Sequence, residues 1–157
     1  MKNKILLLTL LLYTIFSCKN EDEKLSPGQS VLGKYQQTQR NSSEEFDFVS
    51  IIELKAGGMA IYQGTVREKG GKVDLGFNFY YEGEFTLEEE IVVINYLDIY
   101  LLNDPDISYV SKEELNQIEI EDAFSDRYRI NENYDELSYI CPPNAFCIGE
   151  SIFEKVD

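Results

Sequence analysis

The chain carries 29 Asp and Glu, three Cys, eleven Tyr and no His in 157 residues. Without an imidazole, the Ser-His-Asp and Cys-His arrangements that activate a nucleophile are excluded. A glycosidase needs two carboxyl groups at a set separation, but this many acids makes chance pairs unavoidable. No glycine-rich loop follows a strand and precedes a helix, so a phosphate cradle is not indicated. Asp104-Pro105-Asp106-Ile107-Ser108 begins like a Ca²⁺ loop. Its sixth position is Tyr109 rather than Gly and its twelfth is Leu115 rather than Glu, so it fails as an EF-hand and reads as a solvated turn. A Zn site would need more ligands than a chain without His offers. The chain therefore reads as non-enzymatic, with no cofactor and no metal expected. Its formal charge of −15 repels nucleic acid, so no nucleic-acid partner is expected either.

The cysteines divide by position. Lys2 and Lys4 precede an apolar run from Ile5 to Phe16, interrupted by Thr9 and Thr14. The run is shorter than the roughly 20 residues a membrane-spanning helix needs. A basic start, a short apolar run and a small residue, Ser17, have the order of a secretion signal. Ile15-Phe16-Ser17-Cys18 resembles the lipobox of bacterial lipoproteins. The resemblance implies that 1–17 is removed and that Cys18 becomes the lipid-modified N-terminus, with the membrane as a partner through that lipid. Several acyl chains are needed for stable anchoring, at about 0.8 kcal/mol per buried methylene. An ordinary cleaved signal and an uncleaved anchor helix are the competing readings.

Residues 18–28 are polar and end in Ser26-Pro27-Gly28, as expected of a flexible acidic tether with a reach of roughly 17 Å. Its Glu21-Asp22-Glu23 run resembles the signal that takes some Gram-negative lipoproteins to the outer face of the outer membrane; a plain solvated linker explains it equally. Lipidation of Cys18 leaves Cys141 and Cys147, which in an exported, oxidising setting are expected to form a disulfide. Five residues separate them, against the two of a redox-active Cys-x-x-Cys motif.

Residues 29–157 make one domain's length, and 43% hydrophobic content argues against global disorder. The periodicity is that of strands. Phe46, Phe48, Ile52 and Leu54 share one face of a period-2 segment, and Ala56-Gly57-Gly58 turns it back into a partner beginning at Met59. Val73, Leu75, Phe77, Phe79 and Tyr81 alternate cleanly with Asp74, Gly76, Asn78, Tyr80 and Glu82. Ile91 to Tyr96 is a strand-forming run that Asp98 to Leu102 could extend or follow with a short neighbouring strand. Ser111-Lys112-Glu113-Glu114 has a capping form suited to one helical turn. Leu115–Asp122, Arg127–Asn131, Glu136–Cys141 and Cys147–Val156 complete the series. The expected fold is all-β: an antiparallel up-and-down meander of about eight strands, closed as a barrel or packed as two sheets.

Leu32-Gly33-Lys34-Tyr35 resembles the Gly-x-Trp opening of lipocalin-like domains, with Tyr35 where that family usually has Trp. Ile52 to Ala60 is similar to their first strand and its tight turn. Tyr81-Glu82-Gly83-Glu84-Phe85 resembles a following strand, and Leu137 to Val156 the terminal ones. The resemblance implies a small lipocalin-like bacterial lipoprotein with a barrel over 29–157, closed at one end by an N-terminal turn. Such a barrel is either filled by side chains or holds one small ligand. The candidate lining is Tyr35, Phe46, Phe48, Phe77, Phe79 and Tyr81. The expected function is binding of a small apolar ligand in the barrel or at its mouth. The alternative is a protein-interaction or inhibitor module with a solid barrel. It would use the Cys141–Cys147 loop, in which Pro142 and Pro143 would rigidify the chain and Phe146 would stand near the tip.

Overall fold

The computed structural model describes residues 26–39, 45–120, 124–147 and 151–156. The expected signal, Cys18 and most of the tether lie outside the described residues. Nine strands follow a short helical turn, α1 (Pro27–Ser30). They are β1 (Gly33–Gln39), β2 (Phe46–Lys55), β3 (Met59–Glu68), β4 (Asp74–Glu88) and β5 (Ile91–Leu101), then β6 (Asn116–Ile118), β7 (Phe124–Ile130), β8 (Glu136–Tyr139) and β9 (Ile152–Val156).

Among the described residues, eight of these strands form a closed antiparallel ring. β1 to β5 pair in succession, β5 pairs with β7, and β7, β8 and β9 lead back to β1. β6 lies outside the ring, against the 99–101 end of β5, beyond the point at which β7 stops opposite Tyr96. The expected strand over Leu115–Asp122 is therefore only three residues long within the described residues. It has no place in the ring, and Ile118 is left 39% exposed. β7 begins at Phe124, three residues before the expected Arg127, and β9 at Ile152 rather than Cys147, while the remaining elements fall close to expectation. β5 does extend to Leu101, and a 3-10 turn at Lys112–Glu114 has the Ser111 N–H donating to the Glu114 carboxylate at 3.0 Å. The β2–β3 hairpin turns on Gly57 and Gly58, at φ +86° and +82°, a region glycine adopts without a Cβ penalty.

One end of the barrel is packed solid. Val31, Tyr35, Ile52, Val92, Ile94 and Leu137 have no exposed surface there. The Tyr35 hydroxyl donates to the Val31 carbonyl at 2.8 Å and to the Tyr134 carbonyl at 3.1 Å, tying the start of β1 to the β7–β8 turn. Lys155 reaches across the same end, its ammonium 5.3 Å from the Tyr35 ring centroid and donating to the Ser30 carbonyl at 2.8 Å. Its stem passes where a Cβ on Gly33 would stand, so this opening glycine is needed both for space and for its φ of +139°.

A second apolar cluster lies outside the barrel wall. Ile61, Tyr80 and Leu115 are buried there, with Phe77 and Val110 packed on them. Phe77 and Val110 exchange backbone hydrogen bonds of 2.8 and 3.0 Å, which brings the 102–115 segment back onto β4. The uninterrupted alternation expected from Val73 to Tyr81 does not hold. Gly64 pairs with Phe79 but Thr65 pairs with Phe77, so Asn78 is an extra residue in β4. Such a bulge shifts the face of every residue beyond it. Phe79 and Tyr81 face the interior, whereas Phe77 joins the outer cluster.

Candidate functional site

The end of the barrel opposite Tyr35 is built differently. β7 carries Phe124, Asp126, Tyr128 and Ile130 at alternate positions, on one face. Ile130 and Tyr128 are buried and Phe124 is 44% exposed, so this face runs from packed interior to rim, with Asp126 between. The inward face of β1 follows the same gradient, from buried Tyr35 to Gln37 and Gln39. A half-open cavity of about 220 Å³ results. Its floor and walls are the rings of Tyr62, Tyr128, Tyr139 and Phe153, and its polar lining comes from Gln37, Gln39, Asp126 and Ser151.

The rings form walls rather than stacks. Tyr128 meets Phe153 at 5.8 Å and 88°, and Tyr139 at 5.6 Å and 60°; Tyr62 meets Phe153 at 6.1 Å and 76°. Behind them, Tyr81 stands 5.7 Å from Tyr62 and 5.2 Å from Tyr96, while Phe79 lies 4.8 Å from Tyr62. Gly64 is required here. Any Cβ would collide with the Asn78 and Phe79 side chains that the bulge swings across it.

Asp126 is the only carboxylate among the cavity's described lining residues. The Tyr96 hydroxyl donates to its Oδ2 at 3.0 Å and the Tyr128 hydroxyl to the same oxygen at 3.4 Å. Among the described residues, no Lys or Arg forms an ion pair with it. Burial holds its carboxyl above the usual Asp range; hydrogen bonds from Tyr96, Tyr128 and Tyr139 oppose the shift without cancelling it. Tyr62 is pushed up to about 12 by burial, against a hydrogen bond with Ser50. Tyr96 and Tyr128 are raised further, by burial and by the neighbouring carboxylate in Tyr128 and the Tyr128 and Asp126 charges in Tyr96. The tyrosines are thus neutral donors at any physiological pH, gathered round one charge. Among the described residues, no three Cys, Asp or Glu side chains gather as a metal would require.

The residues singled out from the sequence scatter over this frame. Tyr35 belongs to the packed end. Phe46 meets Tyr109 edge to face at 5.9 Å, and Phe48 is half-buried on β2. Phe77 is outside the wall. Phe79 and Tyr81 back the cavity rings, and none of the six forms part of the cavity lining itself. Cys141 and Cys147 form a disulfide. The loop-entropy relation gives a closure of this length roughly 2.4 kcal/mol. Pro142 and Pro143 line an adjoining pocket of about 190 Å³ whose opposite side is Asp126 and Tyr139. The disulfide loop and the barrel mouth, separate in sequence, therefore share a wall. Phe146 is 92% exposed on that loop. Sequence reasoning missed Asp126, although its phase with Tyr128 and Ile130 marks it as an inward-facing acid. No family model, no curated protein and no solved structure matches the chain.

Proposed function

We propose that this protein is a membrane-anchored lipoprotein of the small lipocalin-like kind, non-enzymatic, holding a small ligand at the mouth of its barrel. The anchor rests on the Ile15-Phe16-Ser17-Cys18 sequence, and the Glu21-Asp22-Glu23 run behind it supports a Gram-negative outer-membrane location with the barrel on a short tether. The lipocalin likeness rests on the eight-stranded up-and-down ring with one end plugged by the segment before β1.

The observation that carries ligand binding is the cavity itself. An apolar void of roughly 150 Å³ is enough for benzene, and this one measures about 220 Å³. It suits a molecule of one ring or of similar bulk. The lining favours an amphiphilic ligand over a purely apolar one, since glutamines, tyrosine hydroxyls and a carboxylate interrupt the ring faces. Titration of lipid-free protein with one-ring aromatic probes is expected to give saturable 1:1 binding, abolished in Ser151→Trp, which fills the cavity from its β9 side. Absence of saturable binding by any one-ring probe would sink the reading.

Phe146 favours a second reading, an interaction module using the loop. An aromatic ring 92% exposed on a loop closed by a disulfide is pre-ordered for a partner. Identical captured partners with wild type and Phe146→Ala would remove it.

A further inference from the structure

We infer that the ligand held at the barrel mouth is a small organic ammonium ion, its charge received by Asp126 and its body enclosed by the rings of Tyr62, Tyr128, Tyr139 and Phe153. This rests on the ligand-binding reading above and names the chemical class that the same cavity selects.

A carboxylate withdrawn from water is costly unless another charge compensates it. Asp126 receives tyrosine hydroxyls, which are donors without charge, and no described cation. Among the described residues, the partner it lacks is one positive charge. The cavity on which Asp126 opens is walled by four aromatic rings set at steep angles to one another. Aromatic faces carry negative potential and attract cations, most strongly where water is excluded. A carboxylate with several ring faces is therefore suited to an ammonium group, while Gln37 and Gln39 can accept the remaining N–H bonds with their side-chain oxygens. The pattern disfavours a hard metal ion, which takes six or more oxygen ligands. It disfavours an anion, which would meet Asp126 directly. The whole chain, at −15, adds a field that draws cations toward the mouth.

The cavity's size sets the body of the ligand. At about 220 Å³ the half-open cavity has room for a primary amine bearing one ring. Binding needs ionised Asp126, so it depends on pH. Facing that carboxyl are Tyr96 from β5, Tyr128 from β7 and Tyr139 from β8, with Tyr62 on β3 and Tyr81 on β4 within electrostatic reach. All are tyrosines that titrate above the carboxylate range, and Gln37 and Gln39 on β1 do not titrate. Among the described residues, the acid limb of the affinity profile therefore belongs to Asp126.

The test compares three probes of one shape: benzylamine, benzyl alcohol and benzoate, titrated by calorimetry into wild type, Asp126→Asn and Asp98→Asn. Near-UV circular dichroism checks that each variant is folded. The expected result is benzylamine at least tenfold tighter than benzyl alcohol in wild type and in Asp98→Asn, with benzoate weakest. Asp126→Asn should lose that preference. Equal affinity for benzylamine and benzyl alcohol would overturn the ammonium assignment while leaving the ligand cup intact. Failure of all three probes would overturn both. An equal loss in Asp98→Asn would reduce the preference to the general field and overturn the site. Should Asp126→Asn not fold, the wild-type pH profile decides. Benzylamine affinity must fall as acid protonates Asp126 while benzyl alcohol affinity stays level, and parallel profiles reject the assignment.

Discussion

The two ends of this barrel use the same residue type for opposite purposes. At the packed end the Tyr35 hydroxyl is spent on two backbone carbonyls, and its ring is fully enclosed beneath Lys155. At the mouth, Tyr96 and Tyr128 direct their hydroxyls to a carboxylate, and the rings of Tyr62, Tyr128 and Tyr139 border a void. The first arrangement satisfies polar groups that already belong to the fold. The second assembles donors around a single charge. In the reading proposed above, stability and recognition are separated along the barrel axis, and substitutions at the two ends should behave differently.

The largest contrast is expected from truncation. Leu137 has no exposed surface and sits in the packed cluster beside Phe153 and Tyr35. Leu137→Ala removes buried methyl groups and leaves a cavity, which costs about 2–5 kcal/mol. Tyr139→Ala, two residues along the same strand, acts on a half-buried ring already bordering an opening. Its cost should be smaller, because the lost volume adjoins space that water reaches. Urea unfolding of both variants measures the difference. Equal losses would mean that the mouth is as tightly packed as the closed end.

The packed end was the more legible in the sequence. Period-2 patterns at Ile52 and Leu54, the glycines of the β2–β3 turn and the β-branched run of β5 are local signals, and together they imply a closed meander. The Cys141–Cys147 pair was equally readable. The mouth depends on features that alternation does not report. One extra residue, Asn78, moves Phe77 out of the interior, and nothing in Phe77-Asn78-Phe79 distinguishes a bulge from regular strand. The short β6 is cut off from the ring by where β7 docks, a tertiary choice. Asp126 was within reach, because β7 begins at Phe124 and the phase then puts the acid inward. A strand begun at Arg127 hides that. The cavity walls are mostly tyrosines, whose polar ends suit a wet rim better than a dry core.

A smaller effect tests whether the Tyr35 hydroxyl is structural. Tyr35→Phe keeps the ring under Lys155 and removes both hydrogen bonds, leaving the Val31 and Tyr134 carbonyls without this donor. A typical net contribution is about 0.5–1.5 kcal/mol per bond, and more where the abandoned acceptor stays buried. The denaturation midpoint should fall while one-ring probe binding at the far end is unchanged. A change in probe affinity without a change in midpoint would show that the two ends are coupled rather than separate.

The smallest expected effect has the opposite sign. Burial holds the Asp126 carboxyl above its unfolded value. The native state therefore takes up a proton more readily than the unfolded chain over the interval between those two values. The stability Asp126 contributes is fully present below the unfolded pKa and is lost as pH rises through the folded one. At neutral pH the ionised group thus opposes folding, and Asp126→Asn, which keeps a hydrogen-bonding side chain without the charge, should raise the midpoint. The difference between variant and wild type is the quantity to follow, since it cancels the titration of the other carboxylates. It should be least in acid, grow through the interval and level off above it. Benzylamine should narrow the gap by stabilising wild type more than the variant. A variant less stable than wild type at neutral pH would mean that the tyrosine hydroxyls already compensate the charge, and that the mouth is part of the scaffold.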